Sequence, residues 1–278
     1  MTIVTISRGS YSRGKDVAEK LAQRLDYECV SRDILLEACA EFNIPEIKLV
    51  RALHDSPSVL DRFQHGRERF LSYFRYALLK HVQKGNIVYH GLAGHYTLKD
   101  LDHVLKVRIV ANMDDRVQEE MKRENISADN ALYILKKDDD ERRKWGIHVH
   151  GTDTWDSRLY DIVLHIDMIS IDDAVDILHG ILNKGLFQIT PESQKKLDDM
   201  VKSAKIHTML VATSPRANVA VTDGRVFIRN IGEELKSDSD FRARMEDKIM
   251  QLDGVESVMI QEPLIAHGNS INPYYNQL

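Results

Sequence analysis

The chain has 278 residues, of which 43% are hydrophobic and 29% are charged, as in a packed globular protein that is long enough for two domains. The net charge of −5 argues against a general nucleic-acid-binding protein. The sequence shows no signal peptide and no run of roughly 18 apolar residues that would span a membrane. We expect Cys29 and Cys39 to be free thiols, and the protein to be cytoplasmic.

Short apolar runs alternate with amphipathic segments along the first part of the chain. We predict buried strands at residues 2–6, 27–30, 86–91, 103–111 and 159–167, and helices at residues 14–26, 31–44, 66–84, 113–124, 127–146 and 170–185. Ser31 and Ser127 are candidate N-caps. Strands that alternate with helices indicate an α/β domain over residues 1–187, built on a parallel sheet with helices on both faces.

The order of elements changes after this domain. A helix is predicted at residues 190–205 and another at 239–254, with strands at residues 206–213, 217–223, 225–232 and 255–261. Asp223 and Gly224 between two of these strands are typical of a tight hairpin. We therefore predict a small α+β domain over residues 190–265, followed by a polar C-terminal tail at residues 266–278.

The first strand leads into the segment SRGSYSRGKD, residues 7–16. Gly9 is followed by four residues and then by Gly14 and Lys15, close to the phosphate-binding pattern G-x-x-x-x-G-K-[ST]. Backbone N–H groups in such a strand-to-helix turn, together with the helix N-terminus, can bind phosphate oxygens. Lys15 would then reach the outer phosphates as a point charge.

Asp16 departs from that pattern, because Ser or Thr is expected at its position. Its carboxylate could bind magnesium directly or through water, since Mg²⁺ takes oxygen ligands. It would also repel phosphates, and Arg13 within the loop could offset that repulsion. The alternative interpretation is a tight turn that holds its glycines for backbone reasons and binds no anion.

Residues 5–35, 86–98, 104–118, 136–146 and 152–178 resemble, in this order, the cytidylate-kinase-like proteins, a branch of the P-loop nucleoside monophosphate kinases. The resemblance implies a P-loop fold, with ATP and Mg²⁺ as cofactors and Asp16 at the metal. It implies donor-phosphate binding by Gly9, Ser10, Ser12, Arg13, Gly14, Lys15 and Asp16. It implies acceptor binding by Arg32, Asp33, His90, Gly91 and Gly94, and catalytic roles for Lys15 and for the lid arginines Arg142 and Arg143.

Phosphoryl transfer needs alignment, charge neutralisation and exclusion of water, and a phosphate loop with mobile arginines supplies these. The charged run at residues 136–144 could instead be a solvated helix face. His90 stands where relatives often carry an arginine. We expect Trp145 and Trp155 to pack the lid. A metal site built from the histidines is a further alternative, with candidates His148, His150 and His165, or His90 and His95.

The segment that begins at Val219 resembles a BON domain, with the rhythm V-x-V-x-D-G-x-V followed by a helix and the run LDGVESVMI. This resemblance implies binding of a small ligand, a lipid or a protein, and no catalysis. An oligomerisation or packing domain is the alternative interpretation.

Three hypotheses follow for the whole chain. The first is a nucleotide kinase that transfers the ATP γ-phosphoryl group to a nucleoside monophosphate, such as CMP, or to a similar small acceptor. The second is a nucleotide-binding regulatory or sensor protein with little or no kinase activity, which uses the BON-like domain to bind a ligand or partner. The third is a structural protein with an empty phosphate loop. The sequence identifies neither the acceptor nor the oligomeric state.

Overall fold

A computed structural model describes residues 2–10, 12–31, 34, 66–91 and 93–261. The predicted helix at residues 31–44 lies almost wholly outside the described residues, as does the predicted tail at residues 266–278. The first part of the fold consists of β1 (Ile3–Arg8), α1 (Gly14–Leu25), β2 (Glu28–Val30), α2 (Gly66–Val82), β3 (Ile87–His90), α3 (Gly94–Thr97), β4 (Val104–Ala111), α4 (Met113–Glu124), α5 (Ala128–His150), a 3₁₀ turn (Ser157–Leu159), β5 (Ile162–Ile166) and α6 (Ile171–Leu182).

These five strands form one parallel sheet in the order β2-β3-β1-β4-β5. The central strands β3 and β1 are apolar and buried because both faces of the sheet are covered there, whereas the edge strands β2 and β5 have exposed residues. On one face, Val4 and Ile6 of β1 pack with Val17 and Leu21 of α1 and with residues of α6. On the other face, Ile3 and the strand β3 pack against α2 and α3. The predicted parallel α/β architecture is confirmed.

The chain reverses its direction of winding at β1, because β2 and β3 lie on one side of this strand and β4 and β5 lie on the other. In open parallel sheets, ligands bind at the carboxyl ends of the strands next to such a reversal. The segment that follows β1 is the glycine-containing loop, so the topology places this loop at the position where a ligand is expected.

The second part of the fold consists of α7 (Pro191–Leu210), β6 (Asn218–Thr222), β7 (Arg225–Arg229), α8 (Glu233–Ser237), α9 (Ser239–Met250) and β8 (Ser257–Ile260). β6 and β7 form the predicted hairpin, and β8 pairs parallel to β7. Asp223 and Gly224 have φ angles of 51° and 72°, as the tight turn requires.

The strand predicted at residues 206–213 is wrong, because α7 continues to Leu210. The apolar run IHTML is the end of an amphipathic helix, in which Ile206 and Leu210 are one turn apart and both enter the core of the second part. Short apolar runs are ambiguous between a strand and a buried helix, and here tertiary packing favours the helix.

The helix α7 also joins the two parts. Its earlier residues Leu197 and Ala204 lie in the same apolar cluster as Phe74 and Leu78 of α2. Across this interface, Ser72 Oγ lies 2.7 Å from Nδ1 of His207. A single helix therefore contributes to both cores. The domain boundaries at residues 187 and 190 and the BON-like assignment remain predictions.

Within the described residues, none of the helices combines the length and the apolar character that crossing a bilayer would need.

Candidate nucleotide site

The glycine-containing loop connects the end of β1 to the first turn of α1. The N-cap residue Arg13 has a left-handed backbone, with φ of 63°, and its side chain makes no capping hydrogen bond. The first amide groups of a helix have no partner within the helix, so an anion can be bound there. A Cβ atom on Gly14 would lie 2.6 Å from Cβ of Arg8, so glycine is needed where α1 approaches the strand.

The charged residues of the loop pair with one another and with α4. Lys15, whose side chain is 58% exposed, lies 3.5 Å from Glu19. Asp16 lies 3.8 Å from Nη1 of Arg13, and Nη2 of Arg13 donates to Glu119 at 2.8 Å. Arg13 therefore lies within ion-pair distance of Asp16, and the predicted offset of the repulsion between Asp16 and phosphates stays a prediction.

The side chains of the two loop serines lie within hydrogen-bond distance of other segments of the fold. Ser12 Oγ, which is buried, lies 3.1 Å from the carbonyl oxygens of both Gly9 and Ile109 and can donate its single proton to either of them. This hydroxyl therefore ties the loop to β4. Ser10 Oγ donates to a carboxylate oxygen of Asp138 on α5 at 2.9 Å. The predicted lid helix is thus in direct contact with the loop.

An ion pair lies beside that contact. Arg116 of α4 donates through Nη1 and Nη2 to the two carboxylate oxygens of Asp139 at 2.8 and 2.9 Å. Its Nε donates to the carbonyl oxygen of Ser10 at 2.7 Å. A Cβ atom on Gly9 would lie 3.4 Å from both Nη2 of Arg116 and Oδ1 of Asp139, so the pair rests against the loop.

The predicted lid arginines lie further along α5. Arg143 Nε donates to Asp153 at 2.6 Å, and its guanidinium lies 5.0 Å from the centre of the Trp155 ring. Arg142 lies next to it on the same helix. Trp145 of α5 is buried in the apolar cluster that also contains Tyr96 and Leu98, whereas the side chain of Trp155 is largely exposed.

A cavity of about 270 Å³ opens between the loop, β4 and the segment after the lid helix. One side carries Arg108 and the ion pair of Arg116 with Asp139, and the other side is apolar and includes an indole ring. Its lining residues are Gly9, Ser12, Arg108, Val110, Ala111, Arg116, Asp139, Trp155, Ser157 and Val163. A ligand with an anionic group and an apolar, flat group fits these walls.

Three residues of this lining, Arg108, Arg116 and Asp139, were not among the site residues predicted from the sequence. Arg108 could have been identified from the sequence. Apart from Lys106 it is the charged residue of an apolar strand, and it lies nearer to the carboxyl end of that strand, where ligands are expected. Arg116 could have been identified in a similar way, since it lies in the first turn after that strand. The choice of Asp139 from three consecutive aspartates depends on the rotation of α5, which the sequence does not reveal.

A buried polar network lies behind the cavity. Arg108 Nη1 donates to the Tyr160 hydroxyl at 3.3 Å, and this hydroxyl donates to the carbonyl oxygen of Thr154 at 3.0 Å. His95 Nε2 lies 3.4 Å from the same hydroxyl. Burial lowers the pKa of His95 to about 3, and the positive charge of Arg108 acts in the same direction. Burial likewise lowers the pKa of His150 to about 4.

These shifted pKa values predict a loss of stability in acid. A histidine normally titrates near pH 6.5, so the pKa of His95 is lower in the folded than in the unfolded protein. The stability that depends on a neutral His95 ring is fully present above the unfolded pKa of about 6.5 and is lost as the pH falls towards 3. We expect the free energy of unfolding to fall by about 2 kcal/mol between pH 6.5 and 4.5 on account of His95, measured by urea denaturation.

A His95→Gln variant has no titrating ring, so its stability should depend less on pH over the same interval. The matched control is His148→Gln, because His148 is an exposed residue of the same lid region. An equal pH dependence in His95→Gln and wild type would contradict the role given to His95.

The predicted acceptor residues fall into two groups. Arg32 and Asp33 lie outside the described residues. His90 is buried at the end of β3, and the backbone N–H of Gly91 donates to the carbonyl oxygen of Ile6 at 3.3 Å. A Cβ atom on Gly94 would lie 2.3 Å from Oγ1 of Thr5, so close packing also requires glycine here. The acceptor role of Gly94 remains a prediction.

A metal site made by protein side chains alone finds no support in the described part of the chain, which contains no group of three or more His, Cys, Asp or Glu residues placed to bind an ion. Asp16 can offer a partly exposed carboxylate to a hydrated ion. Magnesium that arrives with nucleotide phosphates would fit this arrangement, since it retains several water and phosphate ligands.

Comparisons with known proteins agree with this geometry. A family model described as the cytidylate kinase-like family matches residues 3–168, from β1 to the end of the α/β sheet. The cytidylate kinase of Sulfolobus acidocaldarius is 24% identical over 182 residues, which are 65% of this chain and 94% of that protein. An uncharacterized protein from Eubacterium ventriosum has the same fold, with a TM-score of 0.51 and 20% identity over 66% of this chain and 99% of that one.

Both relatives are covered almost completely by about two thirds of this chain, while the family match ends at residue 168, before α7 and the three-stranded sheet. The match includes the loop after β1, the lid helix α5 and the strands that line the cavity. Because it spans more than half of the residues, the chain belongs to the cytidylate kinase-like family.

Proposed function

We propose that the protein is a nucleotide kinase that transfers the γ-phosphoryl group of ATP to a nucleoside monophosphate, with CMP as the first acceptor to test. Family membership supports a kinase that acts on a nucleotide or another small molecule. The observation that carries the finer proposal is the phosphate loop at the carboxyl end of β1, which borders a cavity with two arginines.

The donor phosphates would lie on the loop. The amide groups at the N-terminus of α1 and the side chain of Lys15 would neutralise their charge. Among the described residues, the ion pair of Lys15 is the exposed one with Glu19, and such pairs contribute less than about 1 kcal/mol. Release of Lys15 towards a phosphate therefore costs little.

The remaining predicted residues would complete the site. Bound Mg²⁺ would supply charge neutralisation between the phosphates, with Asp16 as its protein-side carboxylate. Arg142 and Arg143 would close over the transferring group, because a guanidinium can bind two phosphate oxygens at once. Acceptor binding would involve Arg32, Asp33, His90, Gly91 and Gly94. The replacement of an arginine by His90 gives this side less positive charge.

A direct assay tests the proposal. We expect the purified full chain with ATP and Mg²⁺ to form ADP when CMP, dCMP, UMP, AMP or GMP is added singly, and to do so with one of them far faster than without an acceptor. Mass spectrometry of the acceptor would show the added phosphoryl group. ATP binding without transfer to any of the five would overturn the kinase proposal.

ATP binding without phosphoryl transfer is what the regulatory alternative predicts, and one observation favours this alternative. The predicted lid helix contacts Ser10 of the loop through Asp138 and Arg116 of α4 through Asp139. Arg143 instead contacts Asp153 and Trp155. A nucleotide-binding regulatory protein would then use the second part of the chain for a ligand or partner.

The proposal for that second part is binding of a small ligand, a lipid or a protein through the BON-like unit, with homo-oligomerisation as its alternative. α7 would connect such binding to the α/β part, since its residues lie in both cores. We also propose a cytoplasmic location, which suits the exposed free thiol of Cys29.

A further inference from the structure

The contact between the lid helix and the phosphate loop has the chemistry of anion binding. A carboxylate of Asp138 accepts from Ser10 Oγ in the loop, and the two oxygens of Asp139 accept from the fork of Arg116. Two parallel N–H···O bonds to one guanidinium are also the geometry with which arginine binds a phosphate. The carboxylates therefore make, within the protein, the kind of contact that a phosphate would make.

The position of this contact matters as much as its chemistry. The Arg116 and Asp139 side chains are only 8% and 15% exposed, and both line the cavity beside Gly9. A phosphate that enters this cavity meets the negative charge of Asp139 and finds Arg116 already paired. Because like charges repel strongly where water is largely excluded, the phosphate and Asp139 will not both occupy this place.

The rotation of α5 separates the three consecutive aspartates. Asp138 and Asp139 face the loop, whereas Asp140 pairs with Lys144 at 2.6 Å on the exposed side of the helix. Arg142 and Arg143 lie four residues after Asp138 and Asp139, on the same face. A shift of α5 by one turn, about 5.4 Å, would replace the two carboxylates at the loop by two guanidinium groups.

We propose that Asp138 and Asp139 form an autoinhibitory latch, which closes the phosphate loop in the absence of nucleotide and opens when phosphate groups displace it. That a nucleotide is the ligand that opens the latch rests on the proposed function. The latch itself should respond to any polyphosphate. If only a small fraction of the molecules is open, the apparent affinity for a polyphosphate equals the intrinsic affinity multiplied by that fraction. Loss of the latch should therefore tighten polyphosphate binding.

The test measures binding of inorganic tripolyphosphate and of ADP by calorimetry, on the full chain, in EDTA. EDTA removes free metal ions, so a carboxylate that acts only as a magnesium ligand has no effect on binding in this assay. A carboxylate that acts as a latch still weakens binding. We expect Asp139→Asn to bind tripolyphosphate about tenfold more tightly than wild type. Asp138→Asn should bind more tightly by a smaller factor, and the matched control Asp140→Asn should stay within about twofold of wild type.

Binding by Asp139→Asn that is equal to or weaker than that of wild type in EDTA would overturn the latch. Circular dichroism and thermal unfolding would show whether this variant is folded. If it is not, Asp138→Asn decides by the same criterion, since it leaves the ion pair with Arg116 intact. The acceptor assay judges the proposed function separately, so tighter tripolyphosphate binding without any turnover would support the latch and reject the kinase.

Discussion

Replacement of Lys15 by alanine is expected to lower kcat/KM for ATP by about 100- to 1,000-fold, the usual cost of removing one preorganised group that stabilises charge in the transition state. Lys15 lies in the first turn of α1, directly after the loop that would hold the phosphates. Its ammonium would be the mobile positive charge closest to the transferring group. Steady-state kinetics with the best acceptor from the panel, together with ATP affinity by calorimetry, measures the effect.

The fold should not change in this variant, because the side chain of Lys15 is mostly exposed and contacts only Glu19 among the ion pairs described. Lys20→Ala is the matched control. Lys20 lies on the same helix and pairs with Asp172 at 2.7 Å, away from the loop. Wild-type turnover in Lys15→Ala, or an equal loss in Lys20→Ala, would reject the assignment of Lys15 to the donor phosphates.

The sequence predicted the local geometry of the candidate site better than its contacts. A β-branched apolar run, two glycines and an amphipathic segment predicted a strand, a loop and a helix, and the structure contains β1, the loop and α1 at these positions. Such elements are specified by neighbouring residues. Their position at the centre of the sheet depends on the order of the strands. The sequence predicted that the strands are parallel but not their order.

Contacts between distant segments could not be predicted from the sequence. Arg116 and Asp139 are separated by 23 residues and meet because α4 and α5 fold back on each other beside the loop. Which aspartate of the run faces inwards is decided by about 100° of helix rotation per residue. The family resemblance drew attention to Arg142 and Arg143, while the carboxylates of the same helix make the contacts with the loop.

Gly94 shows that a motif residue can have a packing role. The resemblance implies that Gly94 lies at the acceptor, and this remains a prediction. In the structure Gly94 begins α3, where this helix packs closely against β1 and β3. A Cβ atom there would lie 2.3 Å from Oγ1 of Thr5 and 2.6 Å from Cδ1 of Tyr89. Both neighbours are almost completely buried and have no free space into which to move.

We therefore expect Gly94→Ala to lower the free energy of unfolding by about 3 kcal/mol or more, at the upper end of overpacking effects, because either α3 or the Tyr89 ring must shift. Urea denaturation measures this loss. Gly180→Ala is the matched control, since a Cβ atom on Gly180 of α6 meets no atom within 4 Å. Alanine in an open helical position should stabilise the protein by about 0.5–1 kcal/mol. Wild-type stability of Gly94→Ala combined with lost acceptor binding would instead assign this glycine to the acceptor site, as the resemblance implied.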